Sequence, residues 1–336
     1  MSQTVRVEVT ERSQSSEARR RATTLATELG FSAENTGKVA LVATELATNL
    51  IKHASGGGEI LLTPVDRAGE KGIEVIAVDS GPGIANLGDA LRDGFSTTGT
   101  YGTGLGAVSR LGESDVYSAL GEGTVVLGRL WRNSTSPPAD SFEVAGVCVP
   151  WADADACGDA WAVAQDERTL RIVLADGLGH GEFAAEASER ALSVFRAQPD
   201  RSPTEHLKAM HVALRATRGA AVSVLQIDRA GGAIRYAAVG NTAGTIVQGE
   251  RSHGLASTNG TVGHVMRSVR ELEYLLPPGA TLVLSTDGLR SRWRLDRYAG
   301  IGRRDPAVAA ALLRRDFDRT RDDVTVIVVR RSESAA

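Results

Sequence analysis

Residues 45–53 read Glu45-Leu-Ala-Thr-Asn-Leu-Ile-Lys-His53, and they close a stretch whose apolar residues recur at helical spacing. This spacing predicts a helix from about Ser32 to His53. Glu45, Asn49 and His53 then lie on roughly one face of the helix, at the border of its buried side. A carboxylate and an amide placed there would hold a divalent ion and accept a hydroxyl proton. A solvated helix face explains the same pattern.

A second polar stretch, Asp79-Ser-Gly-Pro-Gly83, follows the β-like residues Ile73–Val78. A carboxylate at a strand end can accept a hydrogen bond from an exocyclic amine such as that of adenine, and Gly81 and Gly83 let the backbone approach a flat base. The residues 94–106, rich in glycine and threonine, lead into a predicted helix whose first N–H groups would face phosphates. Each motif alone is weak evidence, but all three in this order indicate a nucleotide site.

The elements around these motifs predict a fold for the first part of the chain. Two helices come first and paired β-like runs follow, which is typical of a two-layer α/β sandwich rather than of alternating βαβ units. The predicted helices are 16–29, capped by Ser15 or Ser16 and stopped by Gly30, and 32–53, and the predicted strands are 59–63, 73–78, 115–119 and 124–131.

The three motifs resemble the N, G1 and G2 boxes of the GHKL (Bergerat-fold) ATPases, and residues 1–131 are similar to the RsbT-type serine/threonine kinases of bacterial partner switching. The resemblance implies that Glu45 is the general base toward a substrate hydroxyl and that Asn49 holds Mg²⁺ on the phosphates of ATP. The further residues that it implies are Asp79 for the adenine amino group, Gly81 and Gly83 along the base, and Gly102, Gly104 and Gly106 in the phosphate lid.

Composition excludes several classes of function. The chain has 38 Lys+Arg against 41 Asp+Glu, a net charge of -3, so it has no basic excess to neutralise nucleic acid. It has no apolar run long enough to span a membrane and no signal-peptide core at its polar N-terminus, so we expect a cytoplasmic protein. The two cysteines, Cys148 and Cys157, indicate a reducing compartment without a structural disulfide.

A segment rich in serine, threonine and proline separates two domains. Adjacent prolines within residues 132–141 exclude a helix and weaken a sheet there. We therefore predict an ATP-binding domain at 1–131, a linker at 132–141 and a second domain at 142–331.

In the second domain, carboxylates flank β-like runs at four points far apart in sequence. They are Asp159, Asp176, Asp287 and the pair Asp322-Asp323. The pattern predicts one cluster at a common sheet edge, whose oxygen ligands would suit Mg²⁺ or Mn²⁺. A single Asp-Gly pair is more often a hairpin turn, and we predict such a turn for Asp228-Arg-Ala-Gly-Gly232.

Residues 175–181, 285–289 and 322–326 read Ala-Asp-Gly-Leu-Gly-His-Gly, Ser-Thr-Asp-Gly-Leu and Asp-Asp-Val-Thr-Val. Together they resemble the SpoIIE/RsbX branch of the PP2C-type metal-dependent protein phosphatases, which implies an αββα sandwich over 142–331. The resemblance implies that Asp176 bridges two Mn²⁺ or Mg²⁺ ions, and that the Gly177 carbonyl, Asp287 and Asp322 complete the cluster. Asp159 would be a further ligand or would orient the metal-bound water.

Two details of this resemblance bear on the roles of single residues. The family usually has Gly-Gly-Asp where this chain has Cys157-Gly158-Asp159. In the pair Asp322-Asp323, the alignment favours Asp322 as the ligand.

The two resemblances together predict a bifunctional switch: an ATP-dependent protein Ser/Thr kinase fused to a metal-dependent phosphoserine/phosphothreonine phosphatase. They imply an STAS-domain partner of the RsbS/RsbR or anti-sigma-antagonist type in a stress or sigma-factor pathway. The alternative is an N-terminal module that binds nucleotide and sequesters a partner without transferring phosphate. The sequence leaves open homodimer formation, the choice between Mn²⁺ and Mg²⁺, and whether both sites share a substrate.

Overall fold

The structure, a computed structural model, describes residues 3–90, 104–137, 140–151, 154 and 156–332. The chain divides into two compact units. The N-terminal unit comprises Thr4–Ala139 and Arg303–Leu312, and the C-terminal unit comprises Met1–Gln3, Asp140–Gly302 and Leu313–Ala336. The break between Ala139 and Asp140 lies within the segment predicted as a linker.

The N-terminal unit is built on one antiparallel sheet, and its elements are as follows. They are β1 (Val5–Val9), α1 (Arg12–Glu28), α2 (Ala33–His53), β2 (Gly58–Arg67), β3 (Glu70–Val78), α3 (Leu87–Ala90), α4 (Gly104–Leu111), β4 (Glu113–Ala119) and β5 (Gly123–Trp131). The strand order is β1-β2-β3-β5-β4. Apolar residues of α1 and α2 pack on one face of this sheet, with Leu46, Ile60 and Val75 in the same buried core. The predicted two-layer α/β arrangement is confirmed.

The start of this unit differs from the prediction in two ways. Helix α1 begins at Arg12, before the predicted Ser15 or Ser16 cap, because the Gln14 side chain accepts a hydrogen bond from the Glu11 N–H at 2.9 Å and caps the helix there. Strand β1 was not predicted, although its sequence, Val5-Arg-Val-Glu-Val9, alternates as a half-buried strand does. The predicted stop of α1 is confirmed, since Gly30 has a φ of +80° just after the helix.

A buried group of charges crosses β3 and β5. Glu74 and Arg129 face each other in register, and Arg129 Nη2 lies 2.6 Å from Glu74 Oε1 while both side chains are almost fully buried. Arg129 Nη1 also donates to Glu113 at 2.9 Å and to Asp305 at 2.8 Å, within the same unit. One guanidinium therefore forms ion pairs with three carboxylates.

The C-terminal unit contains two five-stranded antiparallel sheets with helices around them. The strands are β6 (Phe142–Val149), β7 (Asp159–Gln165), β8 (Thr169–Gly177), β9 (Ala220–Asp228), β10 (Ala233–Val239), β11 (Ala243–Gln248), β12 (Arg251–Leu255), β13 (Leu272–Leu275), β14 (Thr281–Ser285) and β15 (Val324–Arg331). The helices are α5 (Glu182–Ala197), α6 (Pro203–Ala213) and α7 (Pro306–Phe317), whose first part belongs to the N-terminal unit. The two strand orders are β13-β10-β9-β8-β7 and β12-β11-β14-β15-β6.

Two buried cores organise this unit. One contains apolar residues of both sheets, such as Ile172, Tyr236 and Ile327. The other contains Leu192 of α5 and Leu207 of α6 with residues of the first sheet. The packing of sheet on sheet and of helices on sheet confirms the predicted α+β class.

Local signals in this unit are mostly confirmed. Helix α6 begins with a capping box, in which the Glu205 N–H donates to Ser202 Oγ at 3.3 Å. Asp228 accepts a hydrogen bond from the Gly231 N–H at 2.6 Å, so it is the hairpin turn that we predicted. Strand β12 was not predicted, because Arg251–Leu255 lacks a buried alternation and is exposed except for Leu255.

Candidate functional site

Helix α2 carries the first pair of predicted site residues. Glu45 and Asn49 are half-buried and stand one helical turn apart, while Val42, Leu46 and Leu50 beside them are buried. His53 is exposed, and burial, together with the charge of Lys52, lowers the pKa of its imidazole. The helix therefore presents a carboxylate and an amide at the edge of its buried face.

The turn after β3 lies against the end of this helix. The Gly81 N–H donates to Asp79 Oδ1 at 2.7 Å, and a Cβ at Gly81 would lie only 3.0 Å from the Cα of Ala54. A Cβ at Gly58 would lie 2.9 Å from Leu50 and 3.2 Å from the Cβ of Asp79. Gly58 alone thus separates Asp79 from Leu50, the residue that follows Asn49.

The backbone at position 83 requires glycine more strictly than the backbone at position 81. Its φ is +75°, which non-glycine residues rarely adopt, and a Cβ there would lie 2.3 Å from the carbonyl oxygen of Ala119. Glycine at position 83 is therefore needed for this turn to pack against the end of β4.

Helix α4 begins within the third motif. It packs against α2, and both helices approach β5 at Gly128, where a Cβ would lie 2.9 Å from Val42 and 3.0 Å from Val108. Gly104 and Gly106 lie in the first turn of α4. Gly102 falls outside the described residues.

In the C-terminal unit, two predicted site residues pair directly. Asp159 on β7 and Asp176 on β8 are opposite each other in register. Next to them, the Gly177 N–H donates to the Gly158 carbonyl at 3.0 Å, and a Cβ at Gly177 would lie 2.0 Å from the Ala184 carbonyl oxygen. Glycine at this position lets α5 approach the strand end that bears Asp176.

Electrostatic interactions connect Asp176 with Asp159 and with two aspartates from other segments of the chain, Asp287 and Asp322. Burial, followed by the charges of Asp159, Asp287 and Asp322, raises the pKa of Asp176 to about 9. Burial, and then the charge of Asp322, also raises the pKa of Asp287. Asp159, Asp287 and Asp322 therefore all lie near enough to Asp176 for their negative charges to disfavour its ionised form.

Asp159 is the most enclosed member of this group. Its Oδ2 accepts hydrogen bonds from Thr286 Oγ1 at 2.7 Å and from Thr325 Oγ1 at 2.9 Å. Burial raises the pKa of this carboxyl well above its usual range, although the two threonine hydroxyls lower it. The sequence analysis did not select the threonines, but both stand inside the motifs that it quoted.

The two residues of the pair Asp322-Asp323 differ in burial and in hydrogen bonding. Asp323 is buried and accepts hydrogen bonds from the Trp151 N–H at 2.7 Å and the Gly158 N–H at 2.6 Å. Asp322 is exposed, and burial of part of the group and the charge of Asp323 raise its pKa. Since Asp323 is engaged with the backbone, this difference supports Asp322 as the ligand.

Asn241 is the residue that sequence reasoning underestimated. Gly240-Asn241 follows strand β10 and was not among the predicted site residues, but Asn241 Nδ2 donates to Asp287 Oδ2 at 2.6 Å. The only available signal was its position directly after a buried strand, which ordinary turns share. Asn241 therefore orients a carboxylate of the cluster.

The donor set of this cluster fits hard divalent cations. Its candidate ligands are carboxylates with raised pKa values, so bound positive charge would relieve their repulsion. Within the described residues, no three histidine, cysteine, aspartate or glutamate side chains are already arranged as a metal-holding group.

Comparison with known proteins assigns the N-terminal part of the chain to a family. The histidine kinase-like ATPase domain family matches residues 8–129. Over 115 residues, the chain is 39% identical to the serine/threonine-protein kinase RsbT of Bacillus subtilis (strain 168), covering 34% of this chain and 86% of RsbT. This chain belongs to the RsbT family.

The RsbT-family chain also carries a second domain. The family described as stage II sporulation protein E (SpoIIE) matches residues 166–332. A protein from a structural study of the bacterial stressosome is 27% identical, with a TM-score of 0.53 over 56% of this chain and 99% of that one. The PP2C phosphatase domain of SpoIIE from Bacillus subtilis, solved with a fragment of its regulatory domain, is 18% identical. Its TM-score is 0.50, and 98% of this chain and 100% of that one are covered. The RsbT-family kinase domain is thus followed by a PP2C-type phosphatase domain.

The raised pKa of Asp176 predicts a pH dependence for the metal-free RsbT-family protein. Between pH 3.8 and about 9, folded Asp176 holds a proton that the unfolded chain releases. The free energy of unfolding of the C-terminal unit should therefore fall as the pH rises through this range. In EDTA at mildly alkaline pH, we expect Asp176→Asn to melt several degrees above the wild type.

Thermal melts with EDTA or with Mn²⁺ measure this effect. Mn²⁺ should raise the wild-type melting temperature and leave that of Asp176→Asn nearly unchanged. The matched control Asp228→Asn, in a hairpin turn, should follow the wild type. A lower melting temperature for Asp176→Asn than for the wild type in EDTA would contradict the prediction.

Proposed function

We propose that this chain both adds and removes a phosphate group on serine or threonine of an STAS-domain regulator. The observation that carries the proposal is the presence, in one RsbT-family chain, of a helix with Glu45 and Asn49 beside the Asp79 turn and of a separate cluster of four aspartates. The kinase domain would cover residues 1–131 and the phosphatase domain residues 142–331, joined by 132–141.

In the kinase domain, Glu45 would accept the proton of the substrate hydroxyl, and Asn49 would hold Mg²⁺ on the phosphates of ATP. Asp79 would accept a hydrogen bond from the adenine amino group. The remaining nucleotide contacts would come from glycines: Gly81 and Gly83 at the base, and Gly102, Gly104 and Gly106 at the phosphates. The N-terminus of α4 supports the latter, because unpaired N–H groups and the helix dipole favour anions there.

In the phosphatase domain, two Mn²⁺ or Mg²⁺ ions would be held by Asp176, the Gly177 carbonyl, Asp287 and Asp322, with Asp159 as a further ligand or as a residue that orients water. When bound, such ions lower the pKa of water and neutralise phosphate charge. The protein would supply the orientation: Thr286 and Thr325 fix Asp159, and Asn241 fixes Asp287.

The relatives support a proposal for the partner. Likeness to RsbT and to a stressosome protein supports an STAS-domain partner of the RsbS/RsbR or anti-sigma-antagonist type in a stress or sigma-factor pathway. Within the part of the chain that the structure describes, no helix has both the length and the apolar character needed to cross a membrane. We propose a cytoplasmic protein that binds neither nucleic acid nor membrane.

Replacing Glu45 tests the kinase. We expect Glu45→Ala to lower phosphate transfer from labelled ATP to an STAS-domain protein by about a hundredfold to ten-thousandfold. Nucleotide affinity, measured by calorimetry, should change little, since Glu45 acts on the substrate hydroxyl. The control Glu34→Ala removes an exposed carboxylate on the same helix, paired with Lys38, and should transfer phosphate at the wild-type rate.

The same phosphate-transfer assay distinguishes a kinase from the alternative, an N-terminal module that binds nucleotide and sequesters a partner. If the wild type binds nucleotide and partner but transfers no phosphate, the N-terminal domain is a binding module and the kinase proposal is wrong. If the wild type does transfer phosphate, mapping the labelled residue on the partner identifies the site that the phosphatase domain would have to hydrolyse.

A further inference from the structure

The two cysteines of the chain lie side by side in the C-terminal unit. Cys148 is at the end of β6 and Cys157 precedes β7, and their sulfur atoms are 3.7 Å apart. Both are buried, with exposed fractions of 0% for Cys148 and 6% for Cys157. A disulfide needs its sulfurs at about 2.05 Å, so a shift of less than one bond length on each side would join them.

This pair adjoins the aspartate cluster. Cys148 Sγ donates to the Asp159 carbonyl oxygen at 3.5 Å, and Cys157 is two residues before Asp159 in the chain. Cys148 also pairs in register with Thr325, whose hydroxyl donates to the Asp159 carboxylate. Cys148 and Cys157 therefore contact the strands that position one proposed metal-site residue.

Gly158, between Cys157 and Asp159, is closely surrounded by other residues. A Cβ at Gly158 would lie 2.8 Å from Ala184 Cβ and 2.8 Å from Asp323 Oδ2. The Gly158 N–H donates to Asp323 at 2.6 Å, and its carbonyl accepts from the Gly177 N–H at 3.0 Å. A pull on Cys157 must therefore disturb hydrogen bonds that reach Asp323 and the strand end carrying Asp176.

We propose that Cys148 and Cys157 form a modification site, at which a hydroperoxide oxidant converts them to a disulfide that inactivates the phosphatase centre. Hydrogen peroxide first oxidises one thiol: the O–O bond breaks, an S–OH group forms and one water is released. The second thiol then attacks that sulfur, the S–S bond forms, and the hydroxyl leaves with the remaining proton as a second water. A dithiol reductant reverses the change by thiol–disulfide exchange.

Cys157 is the more accessible thiol and the first expected target. The hydrogen bond with Cys148, followed by burial, raises the pKa of the Cys157 thiol. Since thiolate is the reactive form, the oxidation is slow. Incubation with millimolar peroxide for hours, rather than seconds, is the appropriate test.

The experiment uses the full-length protein, treated with hydrogen peroxide in EDTA and then freed of oxidant. Intact mass should show the loss of two hydrogen atoms, and digestion without reductant should yield one peptide pair linking residues 148 and 157. After addition of Mn²⁺, hydrolysis of p-nitrophenyl phosphate should be at least about tenfold slower than in the untreated protein and should recover with dithiothreitol. Absence of the linked peptides, or a linked protein with an undiminished rate, overturns the proposal.

The loss of activity rests on the proposed phosphatase function, whereas the mass measurement does not. If the reduced protein shows no hydrolysis, the phosphatase proposal fails, and formation of the linked peptides still decides whether the pair is a modification site. Cys148→Ser and Cys157→Ser are each compared with their own reduced rate, and neither should show a peroxide effect reversed by dithiothreitol. A reversible loss in either variant would show that the inactivation does not need the disulfide, which overturns the proposal.

Discussion

Asp176→Asn should abolish hydrolysis of a phosphoprotein, with a rate at least about a thousandfold below that of the wild type, equivalent to about 4 kcal/mol. Asp176 lies opposite Asp159 in register, and the charges of Asp159, Asp287 and Asp322 all raise its pKa. The residue is thus central among the four aspartates. Asparagine keeps the shape of the side chain but removes the negative charge that would bind divalent cations.

The measurement is release of phosphate from an STAS-domain protein that was labelled beforehand, with Mn²⁺ present. Asp228→Asn is the matched control, because it makes the same substitution at an aspartate that only closes a hairpin. Transfer of phosphate from ATP by the same Asp176→Asn protein should continue at the wild-type rate. A phosphatase rate within tenfold of the wild type would exclude Asp176 as a metal ligand.

Arg129→Met should lower the free energy of unfolding of the N-terminal unit by about 3–5 kcal/mol. Glu74 is buried beside Arg129, and burial already raises its pKa despite the neighbouring guanidinium. Without the guanidinium, Glu74 must be protonated on folding, and Glu113 and Asp305 lose a shared partner. The cost comes from leaving carboxylates buried without compensation rather than from the lost attraction alone.

Because the chain has two compact units, a single unfolding transition would not assign this loss. Hydrogen exchange of peptides from β3 and β5 reports the free energy of opening at this location. The control Arg6→Ala breaks the ion pair with Glu59, in which Arg6 is 34% exposed, and should cost about 1 kcal/mol or less. The double variant Arg129→Met/Glu74→Leu should recover much of the loss, and a double variant less stable than Arg129→Met would contradict the explanation.

Much of the fold could be predicted from local patterns in the sequence. Helix α2 and the strands β4 and β5 were predicted at or near their bounds. Periodicity and capping encode such elements directly. The two unpredicted strands, β1 and β12, are a short strand near the N-terminus and an exposed one, where pairing with a neighbour decides more than composition does.

The candidate sites show the same limit: residues that stand out in the local sequence could be predicted, and partners that depend on long-range contacts could not. Glu45, Asn49, Asp79 and the aspartates of the second domain were selected because carboxylates at helix faces and strand ends stand out in sequence. The partners that orient them did not stand out: Asn241 reads as a turn residue, and Thr286 and Thr325 read as ordinary strand residues. A hydrogen bond between residues 127 or 166 positions apart leaves no trace in local spacing.

From its residues alone, this protein shows that it has two domains, that the first bears nucleotide-binding motifs and that the second bears carboxylates suited to divalent ions. These features depend on local chemistry, which spacing and composition carry. Tertiary structure alone assigned Asp323 to the backbone of the Trp151–Gly158 segment, placed Cys148 beside Cys157, and added Arg303–Leu312 to the N-terminal unit. Those outcomes depend on which surfaces meet when the chain folds, because packing across long sequence separations minimises buried charge and empty space.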